Sequence, residues 1–271
     1  MPGSPMNVLL TNDDGIHARG LWAIYDRLAG THHVDVVAPD RERSAIGHAI
    51  TLHQPLRATR ISLNGGYSGY AVNGTPADCV KLGFSEILSE KPDVVITGAN
   101  AGANLGANLN YSGTVAAAKE AALGGTIGIA VSIEGPEVDT YDDAALFTAE
   151  LCETVYEKGL PFGTFLNVNI PNRPLKDIAG VRISRQAVEV LSEYVEKRED
   201  PRNRTYFWQG RDMQSFGADP QLDGAVLREH FISITPVKCD MTDYNMLEDL
   251  QGWGLDKIVR SKKQGLKDQE K

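Results

Sequence analysis

The sequence predicts an α/β fold, a mostly parallel sheet flanked by helices, with a more irregular region appended at the C-terminal end. Two observations predict it. Short, almost uniformly apolar runs recur through the first 135 residues, at Val8–Leu10, Val34–Ala38, Val94–Thr97 and Ile127–Val131. A strand without polar alternation is one covered on both faces. Between these runs lie amphipathic helical patterns, and strands that alternate with helices point to parallel crossover units.

In chain order, the run Asn7–Thr11 makes the first strand and opens into Asn12-Asp13-Asp14-Gly15. Leu21, Ile24, Tyr25 and Leu28 then share one helical face, the spacing of an amphipathic helix. Val34–Ala38 is a strand stopped by Pro39, and another lies near Val72. Thr75-Pro76 pairs a capping hydroxyl with proline at the first helical position and starts a helix running to about Leu88. Strands at 92–97 and 127–131 flank a helix over Thr114–Leu123. After about residue 135 come a helix over Tyr141–Tyr156 and a strand at 165–170 ended by Pro171. Strand-like pieces follow at 181–183, 205–208 and 231–235, separated by long polar loops. The charged stretch 191–204 flanks a protruding hairpin, and the Lys-, Gln- and Asp-rich tail after Ser261 is expected to fray. The division is thus 1–135 and 136–271, the second part completing the core and mediating subunit contact.

At 271 residues the chain can bury a large core as one or two domains. Its net charge of −9 and pI near 5.2 speak against a nucleic-acid duplex as partner, since phosphate-backbone binding needs a basic surface. Cys79, Cys152 and Cys239 are odd in number and far apart, as expected of thiols in a reducing compartment rather than a disulfide frame or zinc site. No run approaches eighteen apolar residues, and Met1–Pro5 lacks a basic-then-apolar signal pattern. A cytoplasmic protein without a membrane partner is expected.

The polar residues gather where the strands end, and in open parallel sheets ligands bind there. The clusters are 12–14, 38–44, 73–78 and 97–114. Adjacent carboxylates repel unless a cation holds them; the alternative for Asn12–Gly15 is an Asp-rich turn and helix cap. Two carboxylates, an amide oxygen and a hydroxyl make an all-oxygen set suited to Mg²⁺, Mn²⁺ or Ca²⁺. Ser112-Gly113-Thr114 opens a helix, and free backbone N–H groups there favour an anion; simple N-capping by Ser112 or Thr114 can coexist with that role. A metal beside an anion cradle describes a phosphoester-hydrolysing centre. The spacing Gly98…Gly102…Gly106 is neither G-x-G-x-x-G nor a P-loop, so a dinucleotide-dependent dehydrogenase receives little support. His17 and His48 are read as structural or surface residues.

Taken together, Leu-Leu-Thr-Asn-Asp-Asp-Gly at 9–15, Ala-Pro-Asp-Arg at 38–41 with Ser44, and Asn-Gly-Thr-Pro-Ala-Asp-Cys-Val at 73–80 resemble the SurE family. So do Asn-Leu-Gly at 104–106, Tyr-Ser-Gly-Thr-Val at 111–115 and Phe231–Pro236 with Asp223 before it. The resemblance implies a Rossmann-like N-terminal region and a C-terminal region that exchanges elements between subunits, giving a homodimer or homotetramer. It implies a divalent-metal-dependent phosphatase acting on 5′- and 3′-nucleoside monophosphates and sometimes polyphosphate, with one Mg²⁺ or Mn²⁺ per subunit. By matched motif, Asp13, Asp14, Ser44 and Asn100 would hold the metal. Asp14 and Asn104 would be catalytic, and Asn104, Ser112, Gly113 and Thr114 would bind phosphate. A non-catalytic regulatory protein using the same site is the alternative. Ala99 stands where the family usually has isoleucine, and Leu222 where relatives more often have threonine.

Overall fold

The structure is a computed structural model, which describes residues 4–138, 140–188, 193–211 and 219–258. The elements in order are β1 (Asn7–Thr11), α1 (Arg19–Leu28), β2 (His33–Pro39), β3 (Ala58–Ser62), β4 (Ser68–Val72), α2 (Pro76–Leu82), β5 (Val94–Ala101) and α3 (Gly113–Leu123). There follow β6 (Ile127–Ile133), α4 (Asp142–Lys158), β7 (Thr164–Ile170), β8 (Gly180–Ile183), β9 (Glu193–Glu199), β10 (Thr205–Arg211), α5 (Asp223–Arg228), β11 (Phe231–Lys238) and α6 (Met246–Gly252).

Nine strands form one sheet in the order β3-β4-β2-β1-β5-β6-β7-β11-β8. From β4 to β7 all neighbours are parallel. The chain first works outward from β1 through β2 to β4, then returns to β5 and works outward on the other side. The order therefore reverses between β1 and β5, which opens a crevice at their carboxyl ends. Strand residues alternate between two cores. Val8, Leu10, Val36, Ile96, Ile129 and Val131 pack with α1 and α4 through Leu21, Ile24, Ala145 and Cys152. Leu9, Val37 and Val95 pack on the other face with Cys79 and Val80 of α2 and Ala117 and Ala121 of α3. The alanines of α3 permit very close packing: a Cβ on Gly128 of β6 would lie 2.2 Å from the Ala118 carbonyl oxygen.

The structure departs from the sequence expectations in places. The helix expected over 76–88 ends at Leu82, and a wider π-type turn takes Gly83–Ile87. β11 lies antiparallel to β7, with β8 parallel to β11 beyond it. The expected hairpin is β9 paired with β10, a separate antiparallel ribbon. β3, α5 and α6 were not anticipated. The tail after Ser261 lies outside the described residues. Met1–Cys239 makes one compact unit and a second begins at Asp240; within the second, Leu247, Leu250 and Trp253 on and beside α6 are exposed.

Candidate metal and phosphate site

The crevice at the switch point is a cleft of about 410 Å³. Its lining includes Asp13, Asp14, Glu42, Ser44, Asn100 and Asn104. β1 delivers the first pair. Asn12, 1% exposed, closes the turn on itself: its Nδ2 donates to the Gly15 carbonyl at 2.9 Å and its Oδ1 accepts the Gly15 N–H at 3.1 Å. Gly15 has φ +95°, a backbone region in which side chains are strained. The turn expected of Asn-Asp-Asp-Gly is therefore present, and it fixes both carboxylates at the cleft.

Asp13 is buried and locked. The Thr114 N–H donates to its Oδ2 at 3.1 Å, and the Thr114 hydroxyl donates to Oδ1. Burial pushes its carboxyl above the usual range, opposed by the Thr114 bonds. Asp14 is the more open of the two. Burial, then the charge of Asp13, then that of Glu42 push it up to about 6. Burial is the leading cause of both shifts, and neighbouring carboxylate charge adds to it.

Ser44 lies on the loop after β2, which is tied down along its length. Arg43 N–H donates to the Asp13 carbonyl at 2.7 Å, and Gly47 N–H to the Tyr111 carbonyl at 2.8 Å. His48 bonds Glu120 of α3 at 2.7 Å. Asp78 accepts both the Thr51 N–H at 3.0 Å and the Thr51 hydroxyl at 2.6 Å. The polar cluster 73–78 is thus support for this loop and for the start of α2, where Thr75 and Asp78 form a reciprocal capping box; it does not line the cleft. The Ser44 hydroxyl donates to Glu42 Oε1 at 2.6 Å, so its lone pairs remain to serve a cation. Glu42 was not singled out from the sequence; its place two residues before Ser44 in an ordered loop was the available signal. His17 is exposed and, like His48, does not line the cleft.

β5 supplies Asn100. The β5–β6 register shifts between Thr97 and Asn100, an irregularity of the kind that re-aims a side chain. Asn100 Nδ2 donates to the Gly102 carbonyl at 2.7 Å, which leaves its Oδ1 as the acceptor. Asn104 also lines the cleft and spends one N–H on Ser132 Oγ at 2.8 Å. Ser112 lines the cleft too, and its Oγ caps α3 by accepting the Val115 N–H at 3.1 Å. Gly113 and Thr114 do not line it but stand behind Asp13: a Cβ on Gly113 would lie 2.9 Å from the Asp13 Cβ. The Thr114 hydroxyl and N–H both serve the Asp13 carboxylate.

Lys, Arg and His are missing from the cleft lining among the described residues, while three carboxylates are present. The donor set is two aspartates with neutral oxygens from Ser44 and Asn100. It differs from a cluster of three or more His, Cys, Asp or Glu ligands, and no such cluster occurs among the described residues. Hard oxygen donors of mixed charge at an open cleft fit a Mg²⁺- or Mn²⁺-sized ion that keeps positions for other ligands.

Fold and site together define a doubly wound α/β protein with an acidic, oxygen-lined cleft at its switch point. Comparison with known proteins gives the family. A family profile described as Survival protein SurE matches residues 8–193, and this chain belongs to the SurE family. It is 57% identical over 252 residues to a protein of Desulfatibacillum aliphaticivorans named 5′-nucleotidase SurE, spanning 93% of this chain and 100% of that one. A protein of the same name from Heliobacterium modesticaldum is 46% identical, with 92% of each chain covered. Among solved structures, the crystal structure of the SurE protein from Aquifex aeolicus superposes with TM-score 0.80 at 36% identity, covering 91% of this chain and 99% of that one.

Proposed function

We propose that this chain is a divalent-metal-dependent nucleoside monophosphate phosphohydrolase, a 5′-nucleotidase that releases inorganic phosphate. The observation that carries the proposal is the cleft itself. Its three carboxylates would repel a phosphate dianion, and among the described residues no basic side chain lines it to offset them. A bound cation that reverses the local field removes that conflict. The names of relatives matching along nine-tenths of the chain support the same chemistry.

Asp13, Asp14, Ser44 and Asn100 would hold one Mg²⁺ or Mn²⁺, which when bound supplies charge neutralisation and polarisation of the phosphoryl group. The chain's own groups do the rest. Asp13 is fixed by Thr114 and acts as the rigid anchor. Asp14, half-buried and facing the cleft, is the carboxylate placed to meet the substrate or the attacking water. The second N–H of Asn104 and the Ser112 edge of α3, with its helix dipole, stabilise negative charge on the phosphoryl oxygens. Gly113 and Thr114 act on phosphate through Asp13. Water adds to phosphorus, the ester P–O bond breaks, and the nucleoside leaves with a proton on its oxygen.

3′-nucleotides and the end of a polyphosphate chain are candidate substrates as well. Residues 1–135 form the metal- and phosphate-binding region in this proposal, and 136–271 complete the core and carry the subunit contacts of a homodimer or homotetramer. The exposed Val195, Phe207 and Trp208 of the β9–β10 ribbon support such a contact. The described residues contain no helix long and apolar enough to cross a membrane, and three free cysteines suit a cytoplasmic setting.

The test is phosphate release from a panel of nucleoside 5′- and 3′-monophosphates with Mg²⁺, Mn²⁺ or chelator. Metal-dependent release is expected; binding of nucleotide without turnover would point to a regulatory protein instead.

A further inference from the structure

β7 carries two asparagines in a strand otherwise apolar at its centre, and we propose that Asn169, backed by Asn167, is the positioning residue that aims Asn104, on the loop after β5, at the phosphoryl group. The inference rests on the proposed function above, in which Asn104 meets phosphate.

Asn167 and Asn169 are two positions apart, so they face the same side of the sheet, and both are 0% exposed. Asn169 grips the Asn104 peptide as a neighbouring strand would. Its Oδ1 accepts the Asn104 N–H at 2.8 Å, and its Nδ2 donates to the Asn104 carbonyl at 3.0 Å. Asn167 Nδ2 donates to the same carbonyl at 2.9 Å. Ser132, paired in register with Asn169 on β6, holds the Asn104 side chain. Asn104 is therefore fixed at its N–H, its carbonyl and its amide by three fully buried side chains.

The device repeats two residues later. Asp223 Oδ2 accepts the Gly106 N–H at 2.7 Å, and Gln186 Nε2 donates to the Gly106 carbonyl at 2.8 Å. Both peptides are held by side chains that follow residue 160, although the loop belongs to the first part of the chain.

Burying two amides in a strand costs stability unless each is paired, and aliphatic side chains of similar size would suit the layer better. What Asn169 provides is geometric: its primary amide presents a donor and an acceptor side by side, whereas Asn167 uses only its donor here, its Oδ1 having no partner among the described residues. Aspartate in place of Asn169 keeps the acceptor for the Asn104 N–H but has no donor for the carbonyl; alanine loses both. Misplacing a group that meets the reacting centre by about 1 Å is enough to cost on the order of 100-fold in rate.

The experiment is a double-mutant cycle of Asn104→Ala against Asn169→Ala, repeated with Asn169→Asp. It is read on kcat and KM for a nucleoside monophosphate, on inorganic phosphate affinity with Mn²⁺ present, and on Mn²⁺ affinity. Each Asn169 variant should lose about 10- to 100-fold in kcat/KM and in phosphate affinity. Asn104→Ala added to either should cost little more, because residues acting through one group are not additive. Mn²⁺ affinity should stay within about twofold, since Asp13, Asp14 and Ser44 are held by other elements, and β7 contributes no ligand. Fully additive losses, or an equal loss of Mn²⁺ affinity, would mean a general structural role and would overturn the proposal. So would unchanged phosphate affinity in both variants. Should Asn169→Ala fail to fold, the near-isosteric Asn169→Asp carries the same cycle. If the parent chain binds phosphate but turns over no nucleotide, the nucleotidase proposal fails, while the cycle on phosphate affinity still decides the role of Asn169.

Discussion

Gly113→Ala is a one-carbon test of how tightly the start of α3 is fitted against Asp13. The added Cβ would lie 2.9 Å from the Asp13 Cβ, 3.0 Å from its Oδ2 and 3.2 Å from Pro76 Cγ. Carbon atoms in contact prefer about 3.5–4.0 Å, so either the carboxylate or the helix must retreat by about 0.5–1 Å. A retreat of that size takes the Thr114 N–H···Oδ2 bond, 3.1 Å at the start, past the range in which it counts as a hydrogen bond. Two effects oppose each other in stability. Alanine is favoured over glycine in a helix by up to about 1 kcal/mol, while overpacking costs about 1–3 kcal/mol. The net change is a loss of roughly 0–3 kcal/mol, but the anchor of the cation site is displaced. Mn²⁺-dependent phosphate release should fall about 10- to 100-fold, with a thermal midpoint close to that of the parent. Turnover within about twofold of the parent would refute the argument, because Asp13 would then tolerate movement.

Other expectations follow from single contacts. Asp13→Asn should cut turnover by orders of magnitude and leave the fold intact, since it removes a charge from the cation site while Thr114 can still bond the side-chain oxygen; near-normal activity would exclude Asp13 as a ligand. Glu42→Ala should weaken Mn²⁺ binding by about tenfold, the low end for groups that orient a ligand, because the Ser44 hydroxyl loses its acceptor; titration of metal into the two proteins reads this. The Glu120 carboxyl is held below its usual range by the His48 bond first and by Lys81 next. A folded-state pKa below the unfolded one contributes stability at higher pH, and that stability is lost as pH falls from the ordinary glutamate range through the folded pKa. His48→Ala should therefore lower the thermal midpoint by about 2–4 °C near neutral pH. The deficit should shrink as the solution is acidified below that range; a constant deficit down to low pH would contradict it. If the proposed homo-oligomer forms through the β9–β10 ribbon, Trp208→Glu should reduce the sedimenting mass without changing Mn²⁺ affinity, and an unchanged mass would count against that contact.

The central sheet was legible because its strands are buried on both faces and carry short runs rich in β-branched and other apolar residues, such as Val8–Leu10 and Val94–Ile96. The start of α3 was legible because Ser112 caps it. The far side of the sheet was less so. β11 was legible as a strand from Phe231–Thr235, but its apolar-polar alternation does not say which neighbour it pairs with or in which direction. β3 is an edge strand with an exposed, mixed pattern in Ala58–Ser62, and α5 is only six residues long, too short to show a helical period. Asp13, Asp14, Ser44 and Asn100, named by matched motif, line one cleft. Two roles were not legible. Thr114 looks like a phosphate ligand at a helix start but is spent on Asp13. Asn167 and Asn169 alternate with apolar residues as though facing solvent, yet both are wholly buried. Sequence shows which residues are polar, whereas their partners lie 63 to 65 positions away across the sheet.

The central claim is that adjacent aspartates at the switch point hold a cation that makes an acidic cleft receptive to phosphate. Calorimetric titration of Mn²⁺ into the parent chain and into Asp14→Asn tests it most directly, followed by inorganic phosphate titrated into each. The account predicts one Mn²⁺ per parent chain, greatly weakened binding in the variant, and phosphate binding only where Mn²⁺ is bound. Equal Mn²⁺ binding by both proteins, or phosphate binding by the metal-free parent, would contradict it.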